Sequence, residues 1–467
     1  MTDVRHPSKR PPKRTIKRHA TMKHAAWPLG VIAALSAAAG SLTSGTAPAT
    51  APVTAVTTTA PATPTKDAPM PLAAAGRPVQ WWFAYKFSAQ SFPGDPKDPS
   101  RGCAFGGALR RDGSNFSQHY AYATNLSPDL RDGPGLIGTS NNDPLGATFG
   151  QIYNGHYYYV VWNDQFYGDP ERNGPECDDK QCGKPWGHAK GVLAWNQDGN
   201  GIVIQVTTPS WPGGASSTLP RKDGNTLGCI SDDNNISNAQ HFFALQLGRE
   251  DVKAVLRALA VSSVSTDINN PQIVNRRLAG LAPPQDIDQL VARLGKVSGD
   301  KAYLDEKLSS GVRLIAKPSA LHVPPWQFVS SVLGSENLIT ATWWATPRIA
   351  STRSAADVHC WDPLLPTPPG RVDVAVSAQW GNVPVAFTGG PNHAKIGISL
   401  DGGHAYSIFG DLNQQGQLGD ASSPNAANCG SSQNGRGGMF FVLTDPKLRA
   451  GIAKLVANQG KVAATPS

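Results

Sequence analysis

Gly187-His188-Ala189-Lys190-Gly191-Val192-Leu193-Ala194-Trp195-Asn196 and Asn392-His393-Ala394-Lys395-Ile396-Gly397-Ile398-Ser399-Leu400-Asp401 share one layout, with their histidines 205 residues apart. Each begins His-Ala-Lys, runs into an apolar segment, and reaches a small polar residue six positions after the lysine. The segments VLAW and IGISL are apolar and partly β-branched, and Gly, Asn and Asp bound them, as in short buried strands. In a strand, residues two apart share a face. His188 and Lys190 are therefore expected to project together, with Ala189 turned away, and His393 and Lys395 likewise. A chain that repeats this arrangement predicts two strand-rich halves that present their His–Lys pairs to one site.

The residue types suit a phosphodiester. One imidazole can attack phosphorus while a second carries the proton to the leaving oxygen. Two ammonium groups can offset the phosphate charge without a metal. Asn196 and Asp401 are candidates to orient the rings through the second nitrogen. A single His-x-Lys is ordinarily a surface pair, so the weight rests on the repetition.

These motifs resemble those of the deoxyribonuclease II family. Gly187–Leu193 matches its first motif, GH-[TS]-KG-V-L, and Asn392–Lys395 matches the second, [DN]-H-[SA]-K. Further pieces follow in order: Trp81–Lys86, Trp162–Gln165, Thr226–Ser231, Gly410–Asn413 and Gly437-Gly438. The resemblance runs from about residue 79 to about residue 456. It implies an α/β fold similar to phospholipase D, an intramolecular pseudodimer of two mixed β-sheet halves flanked by helices, with one site between them. It also implies a metal- and cofactor-independent acid endonuclease acting on DNA, with a phosphohistidine intermediate and 3′-phosphate ends. On this carry-over His188, Lys190, His393 and Lys395 are catalytic. Asn196, Asp401 and Asn413 would support them, and Asn163 and Asp164 would line the site. From its place after a strand, Ser210 is a further candidate phosphate donor, with a turn role equally open. The general phospholipase D pattern carries Asp at a shorter offset than Asn196 and Asp401 show.

Composition narrows the setting. Residues 1–24 hold eight Lys or Arg against one Asp, and an apolar stretch, Ala25–Gly40, follows. This predicts a secretion signal over residues 1–42, with an uncleaved membrane anchor as the rival. Residues 43–76, rich in Ala, Pro and Thr, read as an extended linker. The net charge of +8 is almost entirely that basic head, so the remainder is nearly neutral. Bulk charge therefore gives no support for nucleic-acid binding; local cations, Lys190, Lys395, Arg436 and Arg348, would have to provide it.

All six cysteines lie beyond the signal, and export favours disulfides. Cys177 and Cys182 flank a short loop and are expected to pair. Joining Cys103 to Cys229 and Cys360 to Cys429 keeps each bridge within one half, one of many pairings six cysteines allow. A zinc site on Cys177, Cys182, His188 and another His is the alternative, without the usual ligand spacing.

The halves are drawn at 77–270 and 271–467. Strands are expected at WWFAYKF, HYYYVVW, GVLAW, GIVIQVT, ENLITATWWA, DVAVSAQW, AKIGISL and AYSIFGD. Helices are expected at Arg249–Val264, Asp286–Leu294 and Asp445–Asn458, the last capped by Thr444 or Asp445. The Trp pairs at 81–82 and 343–344 read as core filling rather than base-stacking platforms. His119, His156, His241, His359 and His404 read as structural or surface residues. Two other functions fit the same motifs: a phosphodiesterase acting on phospholipid or another diester, and a surface binding protein without turnover. The duplication removes the need for a dimer to build the site, so a monomer is expected.

Overall fold

The computed structural model describes residues 68–102, 113–153, 156–166, 177, 181–209, 211–212, 234–278, 281–388, 390–400, 403–420 and 428–465. The expected signal, residues 43–67 of the linker, Cys103, Ser210, Thr226–Ser231 with Cys229, and Asp401 lie outside them. The linker does not extend to residue 76. The short strands β1 (Leu72–Ala74) and β2 (Arg77–Pro78) pair with each other. Leu72 N–H also donates to Thr148 Oγ1 at 3.0 Å, on helix α1 (Pro144–Tyr153).

Two large sheets carry the rest. The first holds β3 (Trp81–Lys86), β4 (Tyr120–Thr124), β5 (Ser127–Asp132), β6 (Tyr158–Asn163), β7 (Lys190–Trp195), β8 (Gly201–Val206), β9 (Gln240–Leu247) and β10 (Val274–Asn275). Their order is β10-β6-β7-β8-β9-β3-β4-β5. The second holds β11 (Leu304–Lys307), β12 (Arg313–Lys317), β13 (Leu338–Ala341), β14 (Val372–Trp380), β15 (Val383–Ala386), β16 (Ile396–Ser399), β17 (Tyr406–Gly410), β18 (Gly438–Thr444) and β19 (Lys461–Val462). Here the order is β11-β12-β18-β17-β16-β13-β14-β15, with β19 on β14. Because β10 joins β6, the first sheet draws on chain just past residue 270.

Five strands repeat. The run β6-β7-β8-β9-β3 in one sheet and β13-β16-β17-β18-β12 in the other have the same chain order and the same antiparallel pairings. Helices α1 and α4 (Pro325–Val332) lie between the first and second strands of each run in the chain, and α2 (Arg249–Val261) and α5 (Pro446–Val456) follow the last. The remaining helix, α3 (Gln285–Val291), contacts α2.

The expected strands and helices fall on these elements for a local reason. β6, β7 and β8 are buried along their whole length, as their near-continuous apolar runs require. Helix α2 keeps Val252, Val255, Leu256 and Leu259 buried on one stripe. Helix α5 starts where Asp445 accepts from the Lys447 and Leu448 amides. Both sheets share one core, in which Phe409 stacks on Phe83 and Phe243 at ring separations of 4.5 and 4.6 Å. Trp81 and Trp82 are buried there as read, but Trp343 and Trp344 lie beyond the end of β13 and remain partly exposed.

Cys177–Cys182 and Cys360–Cys429 are disulfides. The first removes two thiolates from the zinc reading, since metal binding needs them free. The second joins residues separated by 69 positions. Replacing both its cysteines by serine is expected to destabilise the fold by about 4 kcal/mol, from the chain freedom returned to the unfolded state. Urea unfolding under non-reducing conditions checks this.

Candidate active site

The two motifs meet because each half grips the other's histidine by its backbone. His188 N–H donates to Gly437 O at 2.9 Å, just before β18, and His393 N–H donates to Ala239 O at 2.8 Å, just before β9. Glycine is needed at 187 and 437, where a Cβ would overlap the Ser262 carbonyl oxygen. The four motif side chains share one electrostatic environment. Lys190 and Lys395 both oppose charge on His188 and on His393, and Lys190 opposes charge on Lys395.

The halves hold their pairs differently. Lys190, buried, donates to Asp164 Oδ1 at 2.5 Å. The other oxygen of Asp164 accepts from Arg436 at 2.8 Å. Arg436 also donates to the carbonyls of Trp186 (2.9 Å), Cys182 (2.7 Å) and Gly187 (3.0 Å). Burial alone would raise the Asp164 carboxyl, but Lys190, His188 and Arg436 around it hold it far below the usual range. Arg436 is thus a structural tie between the halves, not the free DNA-binding cation the sequence suggested.

Lys395 has no carboxylate partner among the described residues; its Nζ donates to His393 O at 2.5 Å. Burial, then the Lys190 charge, pushes the Lys395 ammonium well below its ordinary range. Two buried ammonium groups, only one of them bound to a carboxylate among the described residues, leave a site that an anion would complete.

The histidines differ too. His188 is buried, and its Nδ1 lies 3.0 Å from the Asp411 carbonyl oxygen. A carbonyl can only accept, so Nδ1 carries the proton and neutral His188 keeps its Nε2 lone pair. His393 is half-buried and stacks on Trp343, with ring centres 5.1 Å apart. Its Nε2 lies 3.3 Å from the Asn238 side-chain amide. Burial first, then the lysines, lowers the pKa of both rings well below the usual imidazole range.

Strand register shows how the repeat diverged. Asn163 stands opposite Lys190, and Ala341 stands opposite Ile396, which places Thr342 across from Lys395. The next residues, Asp164 and Trp343, are therefore counterparts. Likewise Lys86 faces Gln240 and Lys317 faces Gly438, so Asn238 and Arg436, two positions earlier, are counterparts. Lys86 Nζ donates to the carbonyls of Ile236 (2.9 Å) and Asn238 (2.5 Å). Lys317 Nζ donates to those of Asn434 (2.8 Å) and Arg436 (3.0 Å), and burial pushes its ammonium down to about 7. In each half a buried lysine anchors the segment that reaches across to the other half's motif.

Of the supporting candidates, Asp164 is at the site. Asn163 is buried opposite Lys190; its Oδ1 accepts from Gln165 N at 2.8 Å, and its Nδ2 has no hydrogen-bond partner among the described residues. Asn413, two residues after Asp411, is buried and donates to Gln415 Oε1 at 3.0 Å. Asn196 is not brought to the site. It sits at the far end of β7 from Lys190, where its Oδ1 accepts from Asp198 N (3.1 Å) and Asn200 N (3.0 Å) in the turn to β8.

Sequence reading missed several neighbours. His241, read as structural or surface, is buried and structural, but it sits beside the motif: its Nδ1 accepts from Lys395 N at 3.1 Å. The Asp411 carboxylate accepts from Gln205 Nε2 (3.0 Å) and Met439 N (2.8 Å), and burial pushes it up to about 7. Trp343 packs on a motif histidine rather than in the core. Superposing the two motifs and reading outward along the paired strands would have exposed the Asp164/Trp343 and Asn238/Arg436 positions.

The Deoxyribonuclease II family model matches residues 71–461. The chain belongs to the deoxyribonuclease II family. Among family members, the deoxyribonuclease-2-alpha proteins of Bos taurus and Sus scrofa are each 30% identical over 166 and 165 residues. That of Rattus norvegicus is 30% identical over 166 residues. The matched stretch covers 34% of this chain in all three, and 38% of the Bos taurus and Sus scrofa proteins and 40% of the Rattus norvegicus protein. The chain thus aligns with well under half the length of these relatives.

Proposed function

We propose that this deoxyribonuclease II family member is an exported acid endonuclease that hydrolyses DNA phosphodiester bonds without a metal, through a phosphohistidine, leaving 3′-phosphate ends. The observation that carries the reading is the convergence of two His–Lys pairs on one site, with the Asp164 carboxylate bound to Lys190. The repeated five-strand run supports an intramolecular pseudodimer of the phospholipase D type, with halves near residues 77–270 and 271–467. Such a monomer builds the site without a partner chain. Two disulfides favour an oxidising compartment. No helix among the described residues is long and apolar enough to cross a membrane.

The asymmetry supports a division of roles. His188, neutral with Nε2 free of its proton, is the nucleophile. Its Nε2 forms the bond to phosphorus as the P–O5′ bond breaks, and His393 gives its proton to O5′. Water then attacks phosphorus, His393 takes the water proton, and the P–Nε2 bond breaks. Lys190 and Lys395 hold the non-bridging oxygens throughout. Trp343 favours the cationic form of His393 by lying against its ring.

Plasmid cleavage in excess EDTA, from about pH 4.5 to about pH 8, tests this reading. His393 must start protonated and His188 neutral. Burial and the lysines lower both, so activity is expected to peak in acid and to fall as pH rises, before the usual imidazole range is reached. Cleavage that EDTA abolishes, or that peaks above neutral pH, overturns the mechanism.

A further inference from the structure

A cleft of about 510 Å³ opens beside His393, lined among others by Gln90, Ser114, Asn115, Asn238, Gly390 and Pro391. Three observations tie it to the site. Asn238 is both a wall of the cleft and the side chain whose amide lies 3.3 Å from His393 Nε2. Gly390 and Pro391 lead directly into Asn392-His393, and Ala239 N–H fixes them by donating to Pro391 O at 2.7 Å. The opposite wall is held as firmly. Ala89 N–H donates to Ser237 O at 2.8 Å, and buried Lys86 clamps the carbonyls of Ile236 and Asn238.

The lining has a definite chemistry. Among the described residues it contains amides and hydroxyls, Gln90, Asn115, Asn238, Ser114 and Ser237, but no charged side chain. A phosphate would find no counter-charge there, whereas the lysines that suit it lie at the motifs. Amide side chains both donate and accept, as the edge of a nucleobase and the hydroxyls of a sugar require. The volume lies within the range of small-molecule sites, typically about 300–1,000 Å³.

We propose that this cleft is the subsite for the nucleoside on the leaving-group side of the scissile bond, the one whose O5′ His393 protonates. The inference rests on the nuclease reading above and extends it to where the substrate lies. Both halves build the wall: Gln90, Asn115 and Asn238 come from the first, Gly390 and Pro391 from the second. The leaving nucleoside would therefore bind only where the halves are correctly joined.

The test uses the full chain and a short single-stranded oligodeoxynucleotide at acid pH, with Ser114→Trp to fill the cleft and Asn115→Ala to remove one amide. Both positions are exposed, so neither change should disturb the core. Ser114→Trp is expected to raise KM about tenfold, and Asn115→Ala about threefold, with kcat changed less than about threefold in each. Free thymidine is expected to inhibit the wild type competitively and to inhibit Ser114→Trp about tenfold more weakly. Wild-type KM and thymidine inhibition in both variants, with circular dichroism unchanged, would overturn the subsite and leave the nuclease reading intact. A wild type that cuts no DNA at any acid pH would remove the nuclease reading and the subsite with it.

Discussion

His188→Ala is expected to lose DNA cleavage by a factor of at least about 10⁴, because on the proposed mechanism it removes the atom that bonds to phosphorus. His393→Ala loses about as much on DNA, since the alkoxide at O5′ is a poor leaving group without a proton. The two variants part company on bis(p-nitrophenyl) phosphate. Its p-nitrophenolate departs unprotonated, so His393→Ala should still form the phosphohistidine and release a burst of nitrophenolate equal to the enzyme present. Hydrolysis of that intermediate then stalls, because no base takes the water proton. His188→Ala should show no burst. The basis is the 3.0 Å contact between His188 Nδ1 and the Asp411 carbonyl, against the half-buried, Trp-stacked ring of His393. Bursts in the reverse pattern would exchange the two roles; bursts in neither would reject a covalent intermediate on these residues.

Asp164→Asn carries the second large effect, this time on stability as well as turnover. The wild-type carboxylate joins Lys190 of the first half to Arg436 of the second, and both oxygens are buried. The amide is nearly the same size but leaves two cations facing each other with no counter-charge. Breaking a buried pair in this way costs about 3–5 kcal/mol. It also loosens the Arg436 contacts to Trp186, Cys182 and Gly187, which position the backbone leading into His188. Cleavage is expected to fall about 100-fold, the consequence of a misplaced motif rather than a missing one. Urea unfolding and kcat on plasmid DNA measure the two parts. A variant of wild-type stability would show that the ion pair is replaceable.

The pH behaviour of this pair has a definite sign. The folded-state pKa of Asp164 is depressed, so its contribution to stability is present above the unfolded carboxylate range. That contribution is lost only as pH falls through the much lower folded value. The tie between the halves therefore survives the mild acidity in which His393 can be protonated. Asp411 runs the other way: raised to about 7, it favours the folded state below the usual carboxylate range, and that stabilisation is lost as pH rises toward 7. Both groups suit the acid activity proposed above.

Much of this was written in local sequence. A duplicated His-Ala-Lys ahead of an apolar run marks two segments that lead into β7 and β16, although of the four motif side chains only Lys190 lies within a strand. Continuous apolar runs gave β6, β7 and β8, and a 3.6-residue stripe gave α2. Strand β9 was harder to read: QHFFALQL is buried at all but one position, so it displays no alternation. The six-residue offset to Asn196 was misleading for a simple reason. Along an extended strand six residues span about 20 Å, which carries the side chain out of the site and into the next turn.

Tertiary structure decided which residues tune the pairs. Arg436 meets Asp164 from 272 positions away, and His188 meets the Asp411 carbonyl from 223. No propensity or spacing encodes such contacts; they exist because two sheets of the same strand order share one core and place their motifs face to face. The sequence determined the reactive groups. The packing of the halves made them unequal, giving one histidine a carbonyl and the other an indole, and one lysine a carboxylate and the other, among the described residues, none, because a contact between distant segments depends on the surface each meets rather than on its own sequence.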